Sequence, residues 1–288
     1  MTSLRFEQPN QSLRPIGRGL CGFVFIAALP VSAGVSASEV SLSVDSYYRH
    51  FLYREYSTDD RKLNQEKGWL PGLGLTAGYV VNDYLKLSLR ADLSSGMIDY
   101  LGQTNFGVGL STQTDERLAR YATVAEVNLS KWLHLSTRLW WQSQLGWNEW
   151  DRDIQAKGIV RGLYEEYQWG QASTGLKWEF LSRTNWTLSA AAHLTYVINP
   201  EIMVDLRPQG YSEVFLDLEE KPGWLASVSG VYHLSQTLHV SAAIDYESWE
   251  FGASELVVVS GKFANARVRE PDSESQLLSV SLSLSKWF

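Results

Sequence analysis

Cysteine is nearly absent from this 288-residue chain, whose single cysteine, Cys21, lies close to the N-terminus. One cysteine forms no intramolecular disulfide and builds no multi-thiolate metal site. Long apolar runs are also missing after residue 37, where no stretch approaches the roughly 20 apolar residues of a membrane-spanning helix. Basic residues are outnumbered, with 25 Lys and Arg against 32 Asp and Glu. This acidic balance argues against nucleic acid as a partner.

The N-terminal segment has the pattern of an export signal. Three arginines lie among the first 18 residues, before the short apolar run GLCGFVFIAALP, and small residues follow at Val35–Ala37. A basic start, a short apolar middle and a small-residue exit are typical of a cleaved signal peptide. We therefore predict a signal peptide over residues 1–37 and one domain over residues 38–288, with Val31–Ala33 as an alternative cleavage site. Loss of three Arg and one Glu changes the net charge from −7 to about −9.

Strict alternation of apolar and polar residues is abundant. In the stretch QLLSVSLSLSKWF, Leu278, Val280, Leu282 and Leu284 alternate with serines, and Phe288 falls in phase with the leucines. A period of two predicts a β-strand with one apolar and one polar face. Ten segments follow this pattern, at about residues 39–55, 71–81, 84–94, 118–129, 133–145, 163–180, 186–198, 224–234, 237–249 and 276–288.

The connections between these segments alternate in length. Tight turns are predicted at Asn82-Asp83, Ser130-Lys131, Ser182–Asn185 and Ser235-Gln236. Long polar loops are predicted at about 56–68, 97–117, 150–162, 199–222 and 251–275. Together with aromatic residues at both ends of the strands, this rhythm predicts an all-β fold: a ten-stranded antiparallel up-and-down transmembrane β-barrel. The alternative is a soluble β-sandwich, which does not explain why every strand has an apolar face of the type that meets lipid.

The final aromatic residue, in phase with the apolar face, resembles the end of bacterial outer-membrane β-barrel proteins in general. That resemblance implies a location in the outer membrane of a Gram-negative cell. The even number of strands places both termini on the side of the short turns, which we expect to be the periplasm. The resemblance also implies contact with outer-membrane lipid and lipopolysaccharide. The C-terminal strand, ending at Phe288, would be recognised by the barrel-insertion machinery.

The strand count, length and loop rhythm are similar to those of the omptins, a family of ten-stranded outer-membrane proteases. Omptins carry an acidic catalytic pair in the loop after the third strand, where this chain has GMIDYLG at Gly96–Gly102. Asp99 matches the first acid, whereas Leu101 stands at the second. Omptins carry an Asp–His pair after the seventh strand, where NPEIMVDLRPQGYSE offers Asp205 but no His. The resemblance therefore implies the topology and does not extend to proteolysis.

Other catalytic and metal-binding patterns are missing from the sequence. The five histidines show neither His-x-His nor His-Glu-x-x-His spacing, and PGLGLTAG is strand glycine rather than a phosphate-binding loop. His193 lies on the polar face of the seventh segment, where a serine partner would suggest a lipase-type site. We interpret it as a hydrogen-bonded interior residue. We therefore assign no catalytic, cofactor-binding or metal-binding residue and expect no cofactor. The histidines are His50, His134, His193, His233 and His239.

Charged residues on the polar faces predict an interior salt-bridge network rather than an open channel, because buried charges of both signs must pair or meet water. The members are Lys86, Arg90, Asp92, Arg120, Glu126, Arg138, Glu165, Lys177, Glu179, Asp245 and Glu247.

An acidic and aromatic rim of loops is the predicted surface for an extracellular ligand. We accordingly predict a non-enzymatic protein with a structural, surface-binding or narrow-transport role. The alternative is an omptin-like surface protease or hydrolase with a diverged active site. The rim comprises Asp99, Tyr100, Glu149, Trp150, Asp151, Glu165, Tyr167, Trp169, Glu247 and Trp249.

Overall fold

The computed structural model describes residues 40–103, 109–261 and 265–288, so the predicted signal peptide lies outside the described residues. Within them, ten long antiparallel strands form the wall of one barrel. Their bounds are β1 (Val40–Tyr56), β2 (Lys62–Val80), β3 (Leu85–Gln103), β4 (Gly109–Asn128), β5 (Arg138–Ile154), β6 (Leu163–Ser182), β7 (Trp186–Asp205), β10 (Pro222–His233), β11 (Leu238–Gly252) and β14 (Asp272–Trp287).

Each wall strand pairs with the next wall strand along the chain, and the last pairs with the first. The first and last strands, β1 and β14, pair over sixteen positions, with Val44 opposite Leu284. The Phe288 backbone N–H donates to the Val40 carbonyl at 2.9 Å, which extends this pairing to the end of the chain. The predicted ten-stranded antiparallel up-and-down barrel is therefore confirmed, and every wall strand has two neighbours.

Shorter elements lie in the connections of the described chain. A helix, α1 (Leu129–Leu133), separates β4 from β5, and a 3₁₀ turn spans Arg207–Gln209. Four short strands complete the set: β8 (Val214–Asp217), β9 (Glu219–Glu220), β12 (Val257–Val259) and β13 (Ala266–Val268). None of the helices in the described ranges is long and apolar enough to cross a membrane.

The predicted tight turn at Ser130-Lys131 is wrong, because α1 occupies it. The side chain of Asn128 caps the helix by accepting a hydrogen bond from the Lys131 backbone N–H, and His134 ends it in the left-handed conformation with φ 52°. Asn is a favoured N-cap residue because its side-chain oxygen satisfies a free amide of the first turn. The predicted strand from Leu133 therefore begins at Arg138 instead.

An apolar band surrounds the half of the barrel that contains the short turns. Leucines in this band point outward, and large fractions of their side chains are exposed, 53 % for Leu89 and 73 % for Leu194. Aromatic rings border the band on both sides, as at a membrane interface. On the side of the long loops they are Tyr48, Trp69, Tyr121, Trp147, Tyr196, Trp224 and Tyr246; on the side of the short turns they are Tyr84, Trp132, Trp178, Phe180, Trp186 and Tyr232.

The strands extend past the aromatic girdle on the side of the long loops. Beyond that girdle the outer face of the strands is polar and the inner face is apolar. In β1 the outward residues of the band include Leu42 and Val44, whereas Phe51 and Tyr53 point inward and are 1 % and 0 % exposed. Arg54 points outward and pairs with Glu274. The outer surface of this region is therefore polar, as expected for a part of the barrel that projects into water. We call this part the projecting half.

Two of the five predicted long loops, at 56–68 and 97–117, are mostly strand for this reason, and residues 150–154 of a third also belong to a strand. The strand β2 begins at Lys62, β3 extends to Gln103 and β4 begins at Gly109, and β5 ends at Ile154, so the predictions at 56–68, 97–117 and 150–162 are wrong in extent. The exchange of apolar side chains from the outer to the inner face breaks the alternation that the prediction followed. The connections after β7 and β11 do remain long, and they contain the four short strands.

Candidate functional site

The interior of the projecting half is filled by a packed apolar cluster, which we call the plug. Its rings contact one another closely: Trp150 stacks on Tyr167 with centroids 4.5 Å apart, and Phe51 meets Trp150 edge-on at 5.2 Å. Side chains packed in this way leave few voids larger than a water molecule. The plug comprises Phe51, Tyr53, Leu70, Ile98, Leu118, Trp150, Tyr167, Trp169, Val197, Ile202, Val204, Val214, Leu216, Leu218, Trp249, Phe251, Val259 and Leu277.

One guanidinium group, that of Arg152, lies within the plug and is 1 % exposed. Its Nη1 donates to Glu55 at 3.3 Å and to Glu165, and its Nε donates to Glu66 at 3.1 Å. The guanidinium also lies over the Tyr53 ring, 4.6 Å from the centroid. A buried charge needs such partners because removal from water costs several kcal/mol per ion. Arg152 and its three glutamates join β1, β2, β5 and β6.

Two further carboxyl groups border this cluster. Glu116 accepts hydrogen bonds from Thr114 at 2.7 Å and from the Trp150 indole, and Glu270 accepts one from Tyr167 at 2.9 Å. Burial raises the pKa of Glu116 and the pKa of Glu270 well above the usual range for a carboxyl group. Both groups lie beyond the membrane band. Both shifts favour the neutral form, in a core that contains five carboxyl groups and one guanidinium.

A polar cavity of about 310 Å³ lies within the membrane band, below the plug. Its wall carries ion pairs between Arg49 and Asp92 at 2.6 Å and between Arg120 and Glu247 at 2.7 Å. A third pair, nearer the short turns, joins Lys177 and Glu126 at 3.2 Å. The predicted interior salt bridges are confirmed for Asp92, Arg120, Glu247, Lys177 and Glu126, and Arg49 is a partner that the sequence analysis did not include. Glu165, predicted in the same network, belongs to the plug instead.

The predicted ligand-binding rim is wrong for its aromatic members. Trp150, Tyr167, Trp169 and Trp249 are 1–2 % exposed and form the plug, and Tyr100 also points inward. These residues lie on strands rather than loops, at positions whose side chains point into the barrel.

The acidic members of the predicted rim divide between the two faces of the wall. Asp99, Glu149 and Asp151 occupy outward positions of β3 and β5. Glu165 and Glu247 are buried inside. The predicted rim is therefore not one continuous surface.

The positions that resemble omptin catalytic residues do not converge. Asp99 and Leu101 point outward on β3, with Asp99 opposite Lys67 of β2 and Gln113 of β4. Asp205 lies at the end of β7, four strands away, and its carboxylate pairs with Arg207 at 2.8 Å. The geometry therefore assembles no acid–base pair from these positions.

The five histidines are also dispersed. His193 points into the cavity and its Nε2 lies 2.9 Å from Gln142 Oε1, as predicted for a hydrogen-bonded interior residue. His50 meets the Trp69 ring on the outer face, and His134 ends α1. His233 and His239 contact each other near the short turns. Within the described ranges, no group of three or more His, Cys, Asp or Glu side chains is arranged to hold a metal ion.

A closed ten-stranded wall with an apolar band, two aromatic girdles and a polar interior defines the class: a transmembrane β-barrel of the outer-membrane type. No family model and no curated protein sequence matches the chain. The solved structure of the outer membrane protease OmpT from Escherichia coli is similar, with a TM-score of 0.58 at 9 % identity, covering 89 % of this chain and 99 % of that chain.

Two other solved barrels match with lower scores. The translocator domain of the autotransporter NalP from Neisseria meningitidis has a TM-score of 0.40 at 8 % identity, covering 86 % of this chain and 89 % of that chain. The outer membrane protein OprG from Pseudomonas aeruginosa has a TM-score of 0.38 at 10 % identity, covering 88 % of this chain and 97 % of that chain. At 9 % identity, the likeness to OmpT shows the fold alone.

Proposed function

We propose that this protein is an integral outer-membrane β-barrel with a non-enzymatic, structural or surface-binding role. The observation that carries the proposal is the plug, because a packed core within the projecting half is incompatible with a permanently open pore. Among the roles that the sequence predicts, narrow transport therefore has the least support. The alternative of an omptin-like hydrolase rests on topology, because Asp99 and Asp205 lie on separated strands.

The proposed location follows from the apolar band together with the predicted signal peptide over residues 1–37. We propose that the short turns and both ends of the barrel domain face the periplasm, so that the projecting half lies outside the cell. Its outward charges, such as Arg54, Lys67 and Asp115, would then contact lipopolysaccharide or an extracellular ligand. This orientation is the common one for barrels with short turns at one end and longer connections at the other.

The plug predicts that the purified, refolded barrel has no steady ion conductance in a planar lipid bilayer. Ions cannot cross a close-packed apolar core, because the loss of hydration costs them far more than thermal energy. Single-channel recording across a range of voltages measures this directly. A large general porin recorded in the same bilayers serves as the positive control. Steady openings of the wild-type protein at low voltage would contradict the proposal.

Insertion of the barrel is proposed to depend on the end of β14, where Phe288 places its ring on the lipid face with 61 % of its surface exposed. Replacement of Phe288 by Asp is expected to reduce the amount of folded protein in the outer membrane severalfold. The measurements are membrane protein levels and the heat-modifiable gel mobility of folded barrels. Phe288→Tyr, which keeps the aromatic ring, is the matched control and should insert normally. Equal levels for the Asp and Tyr variants would remove the proposed role.

A further inference from the structure

The cavity exists because one part of the wall carries small side chains. The strands β10, β11 and β14 present serines to the interior, while long charged side chains project from β3 to β6. A serine occupies much less volume than an arginine, so space remains on the side of the serines. The serines that line the cavity on these three strands are Ser227, Ser229, Ser241, Ser279, Ser281 and Ser283.

Two charged side chains in this cavity have no ion pair and no hydrogen bond to any described residue: Arg90 of β3 and Asp245 of β11. Arg90 is exposed although it points inward, so its guanidinium meets the open space of the cavity. Among the other charges around them, Arg49 and Arg120 pair with Asp92 and Glu247, and Asp45 accepts a hydrogen bond from Thr76. Arg90 and Asp245 are thus a cation and an anion of the cavity wall that have no direct partner among the described residues.

Unused hydrogen-bond donors lie beside these charges. The Asn148 Nδ2 is buried without a partner, and Asn148 and Arg90 line the same small recess at the edge of the cavity. The Arg49 Nε is also buried without a partner, and Arg49 lines the cavity itself. Buried polar atoms in native proteins are nearly always hydrogen-bonded, so unused donors around an open space indicate that something polar fills it.

Other polar residues surround Asp245. Ser279 of β14 pairs with Asp245 of β11 on one side and with Arg49 of β1 on the other. Asp45 also faces the cavity and accepts one hydrogen bond, from Thr76 at 3.1 Å. Thr76 is the cross-strand neighbour of Arg90. The two free charges thus belong to one ring of polar residues around a single space.

From this arrangement we infer that the cavity is a binding site for a small zwitterion that carries one ammonium and one carboxylate group, such as a free amino acid. The carboxylate would receive hydrogen bonds from Arg90, and the ammonium group would donate to Asp245. Charge-assisted hydrogen bonds of this kind are stronger than neutral ones. The volume of about 310 Å³ suits a ligand of this size. The plug closes the other side, so the ligand reaches the cavity from the end with the short turns.

Isothermal titration calorimetry on the full-length mature barrel, refolded in detergent micelles, tests this inference with L-alanine as the probe. Acetate and ethylammonium each carry one half of the recognised charge pattern. We expect saturable binding of L-alanine and at least about tenfold weaker binding of either half. No saturable heat with L-alanine would show that water alone fills the cavity. Acetate binding as tightly as L-alanine would reveal an anion site. Either result overturns the inference.

The variants Arg90→Gln and Asp245→Asn are each expected to weaken L-alanine binding by about tenfold or more. Arg183→Gln and Asp83→Asn are the matched controls, since both residues are exposed in the short turns and neither lines the cavity, and they should bind as the wild type does. Heat-modifiable mobility verifies that each variant is folded. If Arg90→Gln does not fold, Arg90→Lys takes its place. Lysine keeps the positive charge but cannot form a bidentate hydrogen bond, so this variant should bind L-alanine with intermediate affinity. Unchanged binding in the folded cavity variants would overturn the inference.

Discussion

Replacement of Arg152 by alanine is expected to lower the free energy of unfolding by about 3–5 kcal/mol, the usual cost of removing one partner from a buried ion pair. The guanidinium is the single cation that contacts Glu55, Glu66 and Glu165 among the described residues, and Glu66 is 0 % exposed. Without Arg152 these carboxylates remain in an apolar core with no opposite charge. Chemical denaturation of the refolded barrel, followed by the fluorescence of its tryptophans, measures the change.

Arg117→Ala is the matched control for this experiment. Arg117 also forms an ion pair, with Asp151 at 3.2 Å, but 57 % of its side chain is exposed. Pairs of this kind contribute about 0–1 kcal/mol because water screens them. A loss for Arg152→Ala no larger than that for Arg117→Ala would mean that the buried carboxyl groups do not depend on the guanidinium.

The effect of Arg152→Ala is also expected to depend on pH. Burial already raises the pKa of Glu116 and the pKa of Glu270 in the folded protein. A carboxyl group with a raised folded pKa contributes stability below its unfolded pKa of about 4.3, and this contribution is lost as the pH rises through the folded value. Burial also raises the pKa of Glu66 and the pKa of Glu165, the latter to about 7, while Arg152 opposes both shifts, so removal of the cation raises these two pKa values further. The variant should therefore lose less stability relative to wild type at pH 5 than at pH 8.

Alternation was sufficient to predict the wall of the barrel but not the length of its strands. A period of two follows directly from strand geometry, so the alternating residues from Leu85 to Leu93 are predicted to lie on one face. The alternation does not predict the strand ends in the projecting half, because the apolar side chains there lie on the inner face. In β7 an additional irregularity near Asn199, at φ 45°, changes which residues point inward. A prediction that assumes one alternation phase along the whole strand describes neither the change of the apolar face nor this irregularity.

The Arg152 cluster and the cavity could not be located from the sequence for a different reason. Glu66 and Arg152 are 86 residues apart, and their contact depends on how the wall closes and tilts. Composition predicted that interior charges would pair, which Arg120 and Glu247 do. It could not predict that Arg90 and Asp245 would remain unpaired, because that depends on the space left by serines on other strands.

Replacement of Leu89 by arginine is expected to destabilise the barrel in lipid by about 2–4 kcal/mol, the cost of an arginine at the middle of a bilayer. Leu89 lies centrally on the membrane-spanning part of β3, points outward and is 53 % exposed. Its cross-strand neighbours are Ala77 and Thr123, neither of which offers a counter-charge. Equilibrium unfolding from lipid vesicles, read by tryptophan fluorescence, measures the loss.

Gln113→Arg provides the matched control for Leu89→Arg, because Gln113 also points outward but lies beyond the aromatic girdle, in the projecting half. An arginine there meets water and should cost no more than about 0–1 kcal/mol, the value for positions near or outside the interface. The difference between the two variants locates the membrane on the barrel. Equal losses at the two positions would mean that the apolar band does not contact lipid, and the assignment of the projecting half to water would fail with it.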